Sequence, residues 1–231
     1  MSEDRRGRRS FHDELDSLQG TLMEMAGIVE RLVADASTAV LARDSKAAKR
    51  IRAEDHRVDE LEVEIDERVV ELLALQQPMA GVLRQLIATN KVSNDLERVG
   101  DHAVNIAKAA RRMVDTQPLP EVRELAEMVE ITRGMLADAL AAYVNRDPGK
   151  ARVVCATDDK VDHLQGSIFR IIFTYMLEDP KRIGGALELL LVSQNLERIA
   201  DLATNIAEDV VFLVEGRTIK HGHDLAEESA E

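Results

Sequence analysis

Apolar residues recur at three- and four-residue steps in six successive stretches of the chain, the period of helices that bury one face. The first stretch carries Leu15, Leu18, Leu22, Met25, Val29, Leu32 and Val33. Ser10 with Asp13 three residues on is an N-terminal capping pattern, so the first helix is expected to begin there. The period fades at Arg43-Asp44, and Ser45 is the expected cap of a second helix carrying Ile51, Val58, Leu61, Ile65, Val69 and Leu72. Gln76-Gln77-Pro78 ends it, and a third helix is expected from about Met79 past Met113. The pattern then repeats. Leu125, Met128, Ile131, Met135, Leu136, Leu140 and Tyr143 mark a fourth helix. Pro148 suits the first turn of a fifth, with Val154, Val161, Leu164, Ile168 and Ile172. After Glu178-Asp179-Pro180 a sixth should run to a left-handed stop at Gly216.

The two halves align within the chain. Arg43-Asp44, Asp55, Val58 and Asp59 match Arg146-Asp147, Asp158, Val161 and Asp162 at an offset of 103. From Val92/Val192 onward the offset is 100. The length change therefore falls between the second and third helices of each half, where a loop tolerates it. This predicts an all-α fold of two tandem three-helix bundles related by internal duplication, with helices nearly antiparallel. The expected division is a disordered basic leader over 1–10, bundles over 11–117 and 118–217, and an acidic tail over 218–231.

Composition narrows the picture. The chain has 231 residues, 45% apolar but only 3% aromatic, which favours packed helices over sheet. A net charge of −13 argues against nucleic acid as a partner, because phosphate contacts need a basic face. The lone Cys155 permits no internal disulfide, which fits a reducing cytoplasm. The basic start leads into Asp13, Glu14 and Asp16 rather than an apolar stretch, so neither a signal peptide nor membrane insertion is expected.

The strongest chemical signal is a doubled polar triplet. Glu97, Asp101 and Asn105 stand at four-residue steps, as do Glu197, Asp201 and Asn205. On a helical wheel they fall almost opposite the row Leu96, Val99, Ala103, Ile106 and Ala110, so they should face outwards. Asp55, Asp59, Glu62 and Asp66 form a stripe beside the apolar row of the second helix, and the second half keeps Asp158, Asp159 and Asp162. Neighbouring antiparallel helices would then gather Asp55, Asp59, Glu97 and Asp101 in one groove, and Asp158, Asp162, Glu197 and Asp201 in another. A single such acid is ordinarily a solvated surface charge. Two like charges four residues apart repel, and keeping them twice points to something cationic. Carboxylate and amide oxygens suit magnesium, manganese, calcium or iron rather than metals that prefer thiolates.

Other chemistry is sparse. His102 follows Asp101, but Leu202 stands at its counterpart. His56 and His163 read as surface residues, and His221 and His223 could take metal adventitiously. No Glu-x-x-His pair, phosphate-cradling glycine loop, nucleophile elbow or Cys-His pair is present. Met23, Met25, Met113, Met128 and Met135 read as core filler.

The chain resembles the PhoU family of phosphate-signalling regulators. The resemblance rests on Leu96-Glu97-Arg98-Val99-Gly100-Asp101-His102-Ala103 with Asn105-Ile106-Ala107, and on Leu196-Glu197-Arg198-Ile199-Ala200-Asp201 with Asn205-Ile206-Ala207-Glu208. Leu72 to Pro78, Arg43-Asp44 and Tyr175 to Pro180 extend it. It implies a duplicated three-helix bundle without enzymatic activity, cytoplasmic or peripheral to the inner membrane face, and commonly a homodimer. It implies as partners the ATPase subunit of the phosphate ABC transporter and the phosphate sensor histidine kinase, with repression of the phosphate regulon when phosphate is plentiful. It also implies an iron or zinc cluster on the acidic motifs. Two positions depart from the family pattern. Val82 precedes Leu83-Arg84 where an Asp is frequent, and Leu202 stands where His often follows the Asp, so equal occupancy of the two acid sites does not follow. A metal-dependent carboxylate enzyme and a purely structural helical scaffold are the alternative readings.

Overall fold

The structure, a computed structural model, describes residues 2–76 and 78–219, with backbone alone for residues 2–10 and Gln76. Among these residues it contains six long helices and no strand. They are α1 (Ser2–Ala42), α2 (Ala47–Gln76), α3 (Ala80–Met113), α4 (Arg123–Asn145), α5 (Pro148–Glu178) and α6 (Ile183–Glu215). A 3₁₀ turn over Pro180–Arg182 leads into α6. The all-α duplicated architecture is as expected. None of the described helices is long and apolar enough to cross a membrane.

The boundaries show which local signals decide. Pro148 occupies the first turn of α5, and Asp147 accepts the Lys150 N–H at 3.0 Å. Gly216 ends α6 in the left-handed region at φ 72°. Two expectations are corrected. The first helix begins at Ser2 rather than Ser10, so residues expected as a disordered leader continue it. Extending a formed helix adds one bond per residue fixed, whereas a new start must be nucleated. Ser45 does not cap α2 either: the Asp44 side chain accepts the Lys46 N–H at 2.8 Å. The acidic tail from Asp224, with His221 and His223, lies outside the described residues.

The repeated Arg-Asp pair now has a structural reason. Arg43 and Arg146 both adopt left-handed backbone, at φ 51° and 50°. The next N–H reaches back to a carbonyl at 2.9 Å in each case, Asp44 to Ala39 and Asp147 to Ala142. The pair closes one helix and its aspartate opens the next.

Helices α1, α2 and α3 pack together, as do α4, α5 and α6. Leu18, Leu22, Met25, Leu32, Ile51, Leu61 and Ile65 lie buried in the first bundle, and Met128, Leu136, Val161, Ile168 and Ile172 in the second. Of the methionines expected as filler, Met25, Met113, Met128 and Met135 are buried and Met23 packs against the core. The bundles share one core rather than standing apart. Among the described residues the α3–α6 pairing is as extensive as the pairings within a bundle, and α1 also meets α4.

The α3–α6 seam runs antiparallel. Lys91 Nζ lies 3.0 Å from Asp209 Oδ1 and 5.4 Å from the centre of the Phe212 ring. His102 Nδ1 is 2.8 Å from Asn195 Oδ1 in the middle. At the far end Arg112 Nε donates to Glu188 Oε1 at 2.7 Å. Small residues along the seam and core faces, among them Ala103, Ala107, Ala110, Ala200, Ala203 and Ala207, are buried.

Candidate functional site: two acidic grooves

The sequence-predicted acids lie on paired helices, outside the hydrophobic core. On α2 and α3, Asp59, Asp101 and Asn105 are exposed, Glu97 and Glu62 are half-buried, and Asp55 is 9% exposed. On α5 and α6, Asp162 is exposed while Asp158, Glu197, Asp201 and Asn205 are half-buried. The outward reading of the triplets holds, with one refinement. The glutamates and the deeper aspartates sit in the walls of the groove rather than on the open face.

Glycine explains how Asp55 gets so deep. A Cβ on Gly100 would stand 2.7 Å from Asp55 Oδ1 and 3.7 Å from Val58 Cγ1. The missing side chain at position 100 lets the carboxylate lie against the backbone of α3. Ala200 occupies that position in the second half, where Asp158 is half-buried.

The carboxylates feel one another. Burial, then the charges of Asp59 and Asp101, push Asp55 up to about 6. Glu97 is raised by burial and by Asp101, Asp59, Glu62 and Asp55. In the second groove Asp158 is pushed up to about 6 by burial, Asp201, Asp162 and Asp159. Glu197 is raised by burial and Asp201, and Arg198 opposes the rise. The like-charge crowding inferred from the sequence is therefore present in both halves.

Counter-charges differ. Arg198 lies 2.9 Å from Asp201 and 3.4 Å from Glu197. Arg98, its counterpart, turns to Asp95 at 3.6 Å. His56 approaches Asp59 at 3.6 Å on the exposed face. Asn105 Oδ1 accepts from Lys108 Nζ at 3.4 Å.

The donor set suits a hard cation in kind, being oxygen ligands crowded against their own charge. In the arrangement shown, no three His, Cys, Asp or Glu side chains among the described residues converge on one point. The acids are gathered along each groove without forming a closed chelate.

The remaining residues fall outside the grooves. His102 belongs to the α3–α6 seam through Asn195, and Leu202 is buried. His163 Nδ1 donates to the Asp159 carbonyl. Cys155 is pushed up to about 11 by burial and by Glu208, which leaves its thiol protonated and unreactive. Sequence reasoning missed a basic cluster at one end of the first groove, formed by Lys49, Arg52, Lys108, Arg111 and Arg112. Its signal was available: Lys108 and Arg111-Arg112 lie on α3 within about two turns beyond Asn105.

Comparison with known proteins settles the family. The model of the PhoU domain matches residues 22–110 and again 125–210. The chain belongs to the PhoU family. Each matched stretch contains one acid triplet. The phosphate-specific transport system accessory protein PhoU homolog of Caulobacter vibrioides is 40% identical over 91% of this chain and 92% of its own. The Clostridium acetobutylicum protein of the same description is 36% identical over 92% and 97%. The crystal structure of PhoU from Pseudomonas aeruginosa superposes with a TM-score of 0.86 at 36% identity, covering 90% of this chain and all of that one. The phosphate transport system regulatory protein PhoU from Streptococcus pneumoniae gives 0.84 at 29% identity, over 91% and 99%.

Proposed function

We propose that this PhoU-family protein is a non-enzymatic regulator of phosphate uptake. It couples the phosphate-specific ABC transporter, through its ATPase subunit, to the phosphate sensor histidine kinase, and keeps the phosphate regulon quiet when phosphate is plentiful. The observation that carries this reading is the match of both halves to proteins named as phosphate-specific transport accessories, across nine-tenths of the chain. The site supports an adaptor over a hydrolase or oxidase. Its acids line open grooves, whereas catalysis needs an enclosed pocket with a base held against substrate. The protein works in the cytoplasm, as a homodimer, and reaches the membrane face through its partners.

The acidic grooves are the regulatory surface in this reading. Asp55, Asp59, Glu97, Asp101 and Asn105 would hold a cation in the first, and Asp158, Asp162, Glu197, Asp201 and Asn205 in the second. Iron or zinc is the expected metal, with magnesium or manganese as the other hard-ligand choices. A bound cation would supply positive charge that relieves carboxylate repulsion. The acids on α2 and α3, or α5 and α6, would then be held together, stiffening the surface that partners read.

The test is affinity capture of the tagged full chain from cells grown in high phosphate. The transporter ATPase and the kinase should be recovered together, and less of each from a Glu97→Ala, Asp101→Ala variant that carries less metal. Recovery of neither partner with the wild-type chain would overturn the coupling. Equal metal and equal capture with both chains would remove the metal from it.

A further inference from the structure

The geometry points to a second ligand site, a basic cleft at one end of the first groove that binds a small oligophosphate anion by charge alone. Five cations line this open cleft of about 450 Å³: Lys49 and Arg52 from α2, and Lys108, Arg111 and Arg112 from α3. All five are exposed, in a chain whose net charge is −13. Arg112 is anchored by Glu188, at 2.7 Å. Among the described residues no ion pair engages the other four; Lys108 meets the Asn105 amide oxygen, at 3.4 Å, and its charge is felt by Asp55. Cations crowded this way repel, and an anion placed among them relieves that cost. Helix α2 begins at Ala47, on the rim of the cleft, so its N-terminal dipole adds to the same field.

The duplication supplies an internal control. At the matching place the second half has Arg152, Cys155, Glu208, Val211 and Phe212. Arg152 there is clasped by Glu215 through two contacts of 2.8 Å. The bundle folds without the cations in that half, so packing does not require them in this one.

Charge selects the ligand class. One phosphoryl group carries about two negative charges near neutrality, only half of what the four unpaired cations can match. Two or three linked phosphoryl groups match them better, and arginine forks grip such oxygens two at a time. No aromatic side chain lines the cleft, so nothing there would stack on a nucleobase. The ligand is an oligophosphate, either inorganic or the tail of a nucleotide whose base is not read.

Calorimetric titration of the chelator-treated full chain in low salt tests this. Tripolyphosphate should bind about tenfold or more tightly than orthophosphate or sulfate, because each added charge-assisted contact contributes. ATP should match tripolyphosphate within about threefold, since base stacking would contribute more than that. An Arg52→Ala, Arg111→Ala variant should lose about tenfold or more in tripolyphosphate affinity while melting normally, both positions being exposed. Arg133→Ala, Arg170→Ala, which removes cations from α4 and α5, should bind as the wild type does. Sulfate binding as tightly as tripolyphosphate, no detectable binding, or equal losses in both variants would overturn the site. ATP binding much more tightly than tripolyphosphate would overturn recognition by charge alone.

Discussion

The two acidic grooves share an ancestor within one chain and differ in how their charge is managed. In the first, Asp55 lies against Gly100 and is almost fully buried, while Arg98 turns away toward Asp95. In the second, Ala200 replaces the glycine, Asp158 is half-buried, and Arg198 reaches both Glu197 and Asp201. Duplication kept the acids and let their neighbours diverge. A helix face tolerates a moved arginine, because an exposed ion pair contributes only about 0–1 kcal/mol. The acids themselves repel in both halves, and that repulsion is the property held in common. The carboxylates of the first groove therefore lack the arginine counter-charge that Arg198 supplies to those of the second.

The largest effect should come from the seam between the halves, where the asymmetry is polar against apolar. Lys91→Ala leaves Asp209, only 2% exposed, with one counter-charge fewer. Loss of about 2–4 kcal/mol in denaturant stability is expected. The duplicated position is Leu191, 41% exposed, and Leu191→Ala should cost under about 1 kcal/mol. Equal costs would show that the seam's polar end carries no special weight.

Next comes cation binding. Glu97→Ala, Asp101→Ala should reduce manganese affinity by about tenfold or more, as expected for a site that loses two hard ligands. Glu197→Ala, Asp201→Ala should reduce it less, because Arg198 already occupies part of that groove. A larger loss from the second pair would invert the ranking of the grooves.

Titration offers a sharper probe of the buried carboxylate. Asp55 is held up at about 6 in the fold, against 3.8 for an ordinary aspartate. A native value above the unfolded one means that stability is present in full below pH 4 and is lost as pH rises through 6. In metal-free protein, Asp55→Asn should therefore stabilise by about 1 kcal/mol at pH 7.5, after allowance for solvent screening. The gain should vanish near pH 4, and thermal melts across this range will show whether it does. A variant that is less stable than wild type at pH 7.5 would mean the carboxylate is needed for the fold rather than tolerated by it.

The smallest effect is the one that makes the grooves alike. Arg198→Ala should change stability by less than about 0.5 kcal/mol, as for other exposed pairs. It should also tighten manganese binding in the second groove by about two- to threefold, by removing a competing charge. Unchanged affinity would show that Arg198 does not limit that groove.

Much of the fold was legible because the relevant signals are local. Pro148 and Gly216 mark helix ends through constraints on their own backbone, and both act as expected. The apolar rows give the six helices, because each buries one face against its bundle. The acid grooves were legible for a similar reason: four-residue spacing puts Glu97, Asp101 and Asn105 on one side of α3 wherever that helix goes. Capping was less legible at Ser45, since Asp44 beside it has the longer reach and a carboxylate to accept the N–H. His102 was legible only as a neighbour of Asp101, and the structure gives it to the seam instead.

The sequence by itself determined the helices, the duplication, and the outward placement of paired carboxylates, since all three follow from periodicity within one chain segment. Tertiary structure alone decided that α3 and α6 bury a second face against each other and fuse the bundles. It also decided that Asp55 sinks against Gly100, that Arg198 but not Arg98 turns to the acids, and that five cations meet at one end of the first groove. These depend on which helices lie side by side and how closely. Distance between segments remote in sequence sets both desolvation and Coulomb energy.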